Sequence, residues 1–296
     1  MSRASLVVVT AALVGAAPGA AQPPGDSLLR RTPDGTIYHA NCANPVDRAL
    51  IVFLQGTGLP PDASRRYLRQ VGDRTGRCVL AVPYENAKLV ASYCIADSAT
   101  GAQDADCLTD VLAAKAAGDP PRVETRSGGT LEVSRDRSAE GALLLALRAI
   151  GLTRYLSPDR ASVAWDRVVL TGASQGAQVA LFIALTRHRV AGVGSIVGGV
   201  LPVAGSARFP SWVTERGLTP AERIRAFHHQ DDSDAFRRSV YAAMGVPDAN
   251  VRTTAVSGGD CAARPHPCVI IDDYLPLQDG IPKVVDDWVW VSTPER

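Results

Sequence analysis

Residues 168–181 read "VVLTGASQGAQVAL". The first four, Val168 to Thr171, are apolar or β-branched, the composition of a buried strand. From Gln175 onward the residues suit a helix. Between the two lies a knot of small residues, so the chain must turn from strand to helix within very few positions. A tight turn accounts for the small residues. It does not account for a serine, Ser174, standing between Gly172 and Gly176 where the turn is sharpest. A glycine-rich chain contains G-x-S-x-G by chance often enough that the bare pattern says little, and the strand-to-helix context gives it weight. In that context the two glycines keep neighbouring chain clear of the turn. The serine hydroxyl then projects above the sheet, near the positive end of the following helix.

Outward from this turn the chain alternates. "ALIVFLQGTG" (49–58) is an apolar run stopped by glycines, which predicts a buried strand and a loop. "DASRRYLRQVGDRTG" (62–76) has Tyr67, Leu68 and Val71 at helical spacing, and "CVLAVPY" (78–84) is a second buried strand. Residues 85–137 form an excursion with a short helix near 107–117, and "SAEGALLLALRAIGLTRYL" (138–156) is a helix with Ser138 as its N-cap. After the elbow, "QGAQVALFIALTRH" is a helix, 190–203 and 223–232 each contain a strand, "DAFRRSVYAAMG" is a helix and "PKVVDDWVWVST" a terminal element. Strands that are continuous apolar runs between helices predict an α/β fold: a central, mostly parallel sheet flanked by helices on both faces. Ligands of such sheets sit outside the C-terminal ends of the strands. The residues found there are Gly56 and Thr57, Ser174, and Asp231 and Asp232.

A chain of 296 residues, 46% hydrophobic and 21% charged, can bury a sizeable core. The formal net charge of +1, with no basic or acidic block, gives no reason to expect a nucleic-acid partner or a polybasic membrane site. The opening "MSRASLVVVTAALVGAAPGAAQ" has Arg3, an apolar run from Leu6 to Ala17, then small residues to Ala21. It reads as a secretory signal peptide over residues 1–21, cleaved near Ala20 or Ala21, with a secreted or periplasmic mature chain. A membrane anchor is the competing reading, but the run is short for a bilayer span. Residues 22–38 read as a flexible mature N-terminus, and 39–296 as a single domain. An even count of six cysteines in an exported chain predicts disulfides. Proximity selects Cys94–Cys107 and Cys261–Cys268, leaving Cys42–Cys78. No C-x-x-C pair or His/Cys cluster predicts a metal, and nothing implies a cofactor.

A serine hydroxyl needs a base within hydrogen-bond reach. In an elbow of this kind the chain order is Ser, acid, His. His39 precedes the elbow, His188 ends the helix after it, and His228 and His229 stand where the acid belongs. His266, in "CAARPHPC", follows the last acid candidates and is the predicted base. The loop "AFHHQDDSD" offers Asp231, Asp232 and Asp234 as the acid that orients the imidazole. Asp232 is the choice and Asp231 the runner-up, with Asp234 near the start of the next helix. An oxyanion requires donors aimed at it. The backbone N–H of Gln175, next to the serine, is one, and that of Thr57 in "QGTG" is the other.

With these residues, the chain resembles the α/β-hydrolase superfamily over about residues 40–292. The matching segments are "TGASQGA", "FLQGTG", "FHHQDD" and His266. Within that superfamily it is similar to a poorly characterised group of secreted proteins with an F-L-x-G-T-G loop, an S-Q-G elbow, a tryptophan before T-P-x-E-R, and F-x-H-x-x-D. Here these are Phe53 to Gly58, Ser174 to Gly176, Trp212 with 219–223, and Phe227, His229 and Asp232. The last match favours Asp232 over Asp231. Two positions depart from relatives: Ala173 stands where many carry His, and Gln55 where hydrolases often carry His or Pro. The resemblance implies acyl-ester chemistry.

The expected function is therefore a secreted serine hydrolase cleaving small or lipid-like carboxylic esters through Ser174, His266 and Asp232. An acyltransferase, a thioesterase or a peptidase with the same triad is the enzymatic alternative. A non-catalytic binding protein of the same fold is the alternative from another class. The excursion at 85–137 follows a strand end and is expected to cap the pocket.

Overall fold

The continuous apolar runs form the centre of the molecule, a computed structural model describing residues 28–32, 35–43, 48–97, 102–126, 128–198, 211–215, 217–232, 234–255, 266, 269–270, 277–278, 281–282 and 284–295. Among the described residues the central sheet has eight strands: β1 (Leu28–Thr32), β2 (Gly35–Ala40), β3 (Leu50–Leu54), β4 (Val79–Ala81), β5 (Val168–Ala173), β6 (Gly192–Ile196), β7 (Ile224–His229) and β8 (Val251–Thr254). Their spatial order is β1-β2-β4-β3-β5-β6-β7-β8. β1 and β2 pair antiparallel, as do β2 and β4, and every other neighbouring pair is parallel. All residues of β3, β4, β5 and β6 are buried, as a sheet covered on both faces requires.

Alternate residues of the central strands supply two separate cores. Leu50, Val52 and Leu54 of β3 join one cluster, and Ile51 and Phe53 the other. The first cluster packs under α2 (Ala105–Ala117), α3 (Ala139–Ala149), α4 (Gln175–Phe182) and α5 (Asp234–Ala243). The second packs under α1 (Arg65–Thr75) and α6 (Val285–Val291). There Trp288 stacks on Tyr67 with ring centroids 4.2 Å apart, and on Phe53 at 5.1 Å, joining α1, β3 and α6. The terminal element is thus a helix.

The helix ends follow local chemistry. The Ser138 side chain accepts from the Gly141 N–H, the expected N-cap of α3. Asp104 caps α2 by accepting from the N–H groups of Asp106 and Cys107. α3 stops at Ala149, well before residue 156, because Gly151 takes a left-handed φ of 75° and a short 3-10 turn, Thr153–Tyr155, follows.

Two parts differ from the sequence reading. Residues 28–38, expected as a flexible lead-in, supply β1 and most of β2, edge strands of the main sheet. Ile37 and Tyr38 are buried, and the Tyr38 hydroxyl donates to Arg65 O, so this apolar pair ties the edge to α1. The excursion is also more than a cover. Leu108, Val111 and Leu112 of α2 are core residues, and α2 packs beside α3 and α4. Two short hairpins, Ile95–Asp97 with Ala102–Gln103 and Arg122–Glu124 with Thr130–Glu132, hang from it.

Cys42–Cys78 and Cys94–Cys107 are disulfides, with Cα separations of 4.3 and 5.5 Å. Cys261 and Cys268 lie outside the described residues, as do residues 1–21, the expected signal peptide. Among the described residues no helix is long and apolar enough to cross a membrane.

Candidate active site

Ser174 follows the last residue of β5 and precedes the first residue of α4. Its backbone has φ 52° and ψ −119°, a conformation that L-residues adopt only under constraint. Two contacts impose it. The Ser174 N–H donates to Ile196 O at 2.9 Å, tying the turn to the end of β6. On the other side, α4 begins hard against the neighbouring strand: a Cβ on Gly176 would lie 2.0 Å from Leu54 O, and one on Gly172 would lie 2.4 Å from the Gly176 carbonyl carbon. Larger residues at either position would push the helix off the sheet and relax the turn. This is the elbow geometry that "TGASQG" predicts.

The loop after β3 comes up against the serine. A Cβ on Gly56 would sit 3.3 Å from Ser174 Cβ and 3.4 Å from Ala173 O, so only glycine lets this backbone approach freely. Residues Gly56 to Leu59 form a turn, closed by Leu59 N–H to Gly56 O at 3.2 Å, with Gly58 at φ 69°. Gln55, the departure noted in this loop, is buried and braces it: Nε2 donates to Pro61 O at 3.0 Å. Tyr84 donates to Gln55 O at 2.8 Å. Burial pushes the Tyr84 hydroxyl well up, with the Gln175 side chain opposing, so it stays a donor. Thr57 Oγ1 is buried with no hydrogen-bond partner among the described residues. Gln175 is fully buried and is the first helical residue of α4, where a backbone N–H has no partner within the helix.

The residues predicted as acid and base meet. His266 Nδ1 lies 2.8 Å from Asp232 Oδ2. A buried arginine, Arg237 of α5, reaches the same carboxylate oxygen with Nη2 at 2.8 Å and donates through Nε to Asp232 O at 2.7 Å. Its Nη1 donates to Val197 O at 2.8 Å and also to Gly198 O. Burial opposes the charge on Asp232, but the His266 hydrogen bond and the Arg237 cation outweigh it and hold the carboxyl below its usual range. Val197 takes a positive φ of 43°, fixed by its N–H to Phe227 O at 2.7 Å and by Arg237 on its carbonyl. The end of β6 is therefore a shared strut, with Ser174 tied to Ile196 and the Asp232–Arg237 pair tied to Val197 and Gly198. Beyond His266, the main chain is anchored by Trp288 Nε1 to Val269 O at 3.0 Å and by Ser64 to Ile270 O.

The remaining candidates are occupied elsewhere. Asp231 is exposed and faces His229, Nδ1 to Oδ2 3.6 Å, rather than His266. Asp234 accepts from the buried His228 at 2.7 Å and pairs with Arg238. His188 stacks on Trp165 at 4.5 Å. Among the described residues no group of three or more His, Cys, Asp or Glu side chains could hold a metal ion. Arg237 went unnoticed in the sequence, yet it left a signal. It occupies the buried stripe of α5 with Val240 and Tyr241, at i, i+3 and i+4, where an unpaired cation is not tolerated.

The strand order, the parallel core and the strained serine between β5 and α4 define the α/β-hydrolase fold. No protein-family model matches the chain, and no curated protein matches it. Among solved structures it is similar to TT1662 from Thermus thermophilus, at 17% identity over 79% of this chain and 90% of that chain, with a TM-score of 0.42. It is similar to an arylesterase at 11% identity over 92% and 85% of the two chains, TM-score 0.44. A thermophilic esterase from the Planctomycetes species Thermogutta terrifontis matches at 14% identity over 81% and 84%, TM-score 0.38.

Proposed function

We propose that the protein is an exported serine hydrolase of carboxylic esters. One observation carries this reading: a serine held at φ 52° between strand and helix, on the sheet end where a histidine and a half-buried aspartate pair at 2.8 Å. A structural turn needs neither the strain nor the pair.

Ser174 Oγ attacks the ester carbonyl carbon and its proton passes to His266 Nε2. Asp232, on Nδ1, fixes the tautomer that leaves Nε2 free to accept, and stabilises the imidazolium that forms. The N–H groups of Thr57 and Gln175 receive the negative charge that develops on the carbonyl oxygen. The imidazolium gives its proton to the departing alcohol, leaving an acyl-serine. Water, deprotonated by His266, then releases the acid and restores the hydroxyl. The two disulfides agree with passage to an oxidising compartment after removal of residues 1–21.

A panel of p-nitrophenyl esters of rising acyl length, with and without an added alcohol, tests the reaction class. The proposal predicts hydrolysis at short or medium length, abolished in Ser174→Ala. Ester products with the added alcohol in place of the acid would make the protein an acyltransferase. Turnover surviving in Ser174→Ala would refute the assigned nucleophile.

A further inference from the structure

We propose that Asn86 is the positioning residue of the oxyanion site: by gripping the Gly56–Leu59 turn it aims the Thr57 N–H at the carbonyl oxygen of the ester. The assignment rests on the serine-hydrolase reading above and adds to it a residue outside the nucleophile, base, acid and donor set.

Asn86 makes three hydrogen bonds to this one turn. Its Nδ2 donates to Gly56 O at 2.7 Å and to Leu59 O at 3.0 Å, while its own backbone oxygen accepts from Gly58 N–H at 2.8 Å. The first bond decides the direction of the Thr57 N–H. Gly56 O and Thr57 N–H belong to one peptide unit, and among the described residues the sole cis bond is Asp119–Pro120. In a trans peptide C=O and N–H point opposite ways. Drawing Gly56 O toward Asn86 therefore turns Thr57 N–H away from it. Leu59 N–H binds the same oxygen at 3.2 Å, a bond within the turn that closes it around Gly58. Only a donor from outside the turn fixes that peptide relative to the rest of the protein. The Gly56 backbone stands against Ser174 Cβ, so a rotation here moves the donor with respect to the reacting carbon.

The side chain can act this way because its own segment is immobilised. Glu85 N–H donates to Arg137 O at 2.8 Å, and the Glu85 carboxylate pairs with the Arg137 guanidinium. Lys115 of α2, fully buried, donates through Nζ to Glu85 O at 3.0 Å and Lys88 O at 3.3 Å, one residue before Asn86 and two after it. Lys115 and Arg137, further along the excursion, thus hold the segment that carries Asn86.

The test compares wild type, Asn86→Ala and the isosteric Asn86→Asp, which cannot donate to either carbonyl. Three quantities are read: kcat and KM on p-nitrophenyl butyrate, Ki for an alkyl trifluoromethyl ketone, and the urea midpoint. The ketone forms a hemiketal oxyanion with the serine, so its affinity follows the oxyanion site. Loss of one such donor lowers kcat by about 10²-fold or more. The expected result is a kcat fall of that order in both variants, KM within about threefold, and a ketone Ki that rises in proportion to the loss of kcat/KM. Unchanged kcat in a folded variant overturns the assignment. So does a loss confined to KM, or a kcat loss with unaltered ketone affinity. If neither variant folds, Asn86 is a folding residue and the assignment falls. Wild type inert to ester and ketone overturns the hydrolase reading itself, whereas active wild type with indifferent variants overturns Asn86 alone.

Discussion

Arg237 and His266 share one oxygen of Asp232, each 2.8 Å from Oδ2. The aspartate thus pairs with a permanent cation besides the imidazole. The same guanidinium also satisfies Val197 O, Gly198 O and Asp232 O. Arg237→Met should strip three carbonyls and a half-buried carboxylate of their donor, destabilising the fold by about 3 kcal/mol in urea denaturation. Arg237→Lys should recover less than half of that, because one ammonium cannot span a fork-shaped set of acceptors. A methionine variant as stable as wild type would show the network to be dispensable.

The Asp232 carboxyl is held below its usual range in the fold. A depressed carboxyl stabilises the native state above its unfolded pKa, about 3.9, and the contribution drains away as pH falls through the lower folded value. Asp232→Asn should therefore be less stable than wild type at pH 7, with the gap closing below about pH 4. A gap independent of pH between 7 and 3 would contradict the ion-paired carboxylate.

Ser174 sits at φ 52° and ψ −119°, where a side chain is strained and glycine is not. Such strain amounts to about 1–3 kcal/mol. Ser174→Gly should gain about 1 kcal/mol over Ser174→Ala, with both inactive, because alanine keeps the Cβ that the conformation penalises. Equal urea midpoints for the two would mean that the elbow stores no strain.

Burial pushes the Lys115 ammonium down to about 8, against the pull of Glu85, with Arg137 adding to the depression. Below that pH folded and unfolded chains both hold the proton, and the full penalty of burying the charge stands. Between about 8 and the ordinary value of 10.5 the unfolded chain holds more protons, so stability rises with pH. Relative to Lys115→Met, wild type should gain stability from pH 8 to 10. A constant difference would place the amine in contact with water.

The sequence made the centre of the fold legible because central parallel strands are buried on both faces. "LIVFL" and "VVLTGA" are continuous apolar runs for that reason. The turn at Ser174 and the glycine loop were legible because backbone constraint leaves its mark in residue type: glycine at close approaches, small residues at a tight turn. The edge strands were missed because β2 mixes Gly35, Thr36 and His39 with its apolar residues and β1 carries Arg30 and Arg31, so neither has the apolar density of a core strand. Arg237 and Asn86 were missed for a different reason. Their roles come from partners 39 to 40 residues away for Arg237 with Gly198 and Val197, and 30 away for Asn86 with Gly56. No local pattern encodes those meetings.

The proposed reaction requires Ser174 to be an activated nucleophile. Intact-mass and peptide-mapping analysis after treatment with a fluorophosphonate reads this out, with wild type beside Ser174→Ala and His266→Ala. A single phosphonyl adduct is expected on Ser174 of wild type, none on Ser174→Ala, and labelling slowed by at least about 10³-fold in His266→Ala. Folded wild type that takes no adduct, or an adduct on another serine, would contradict it.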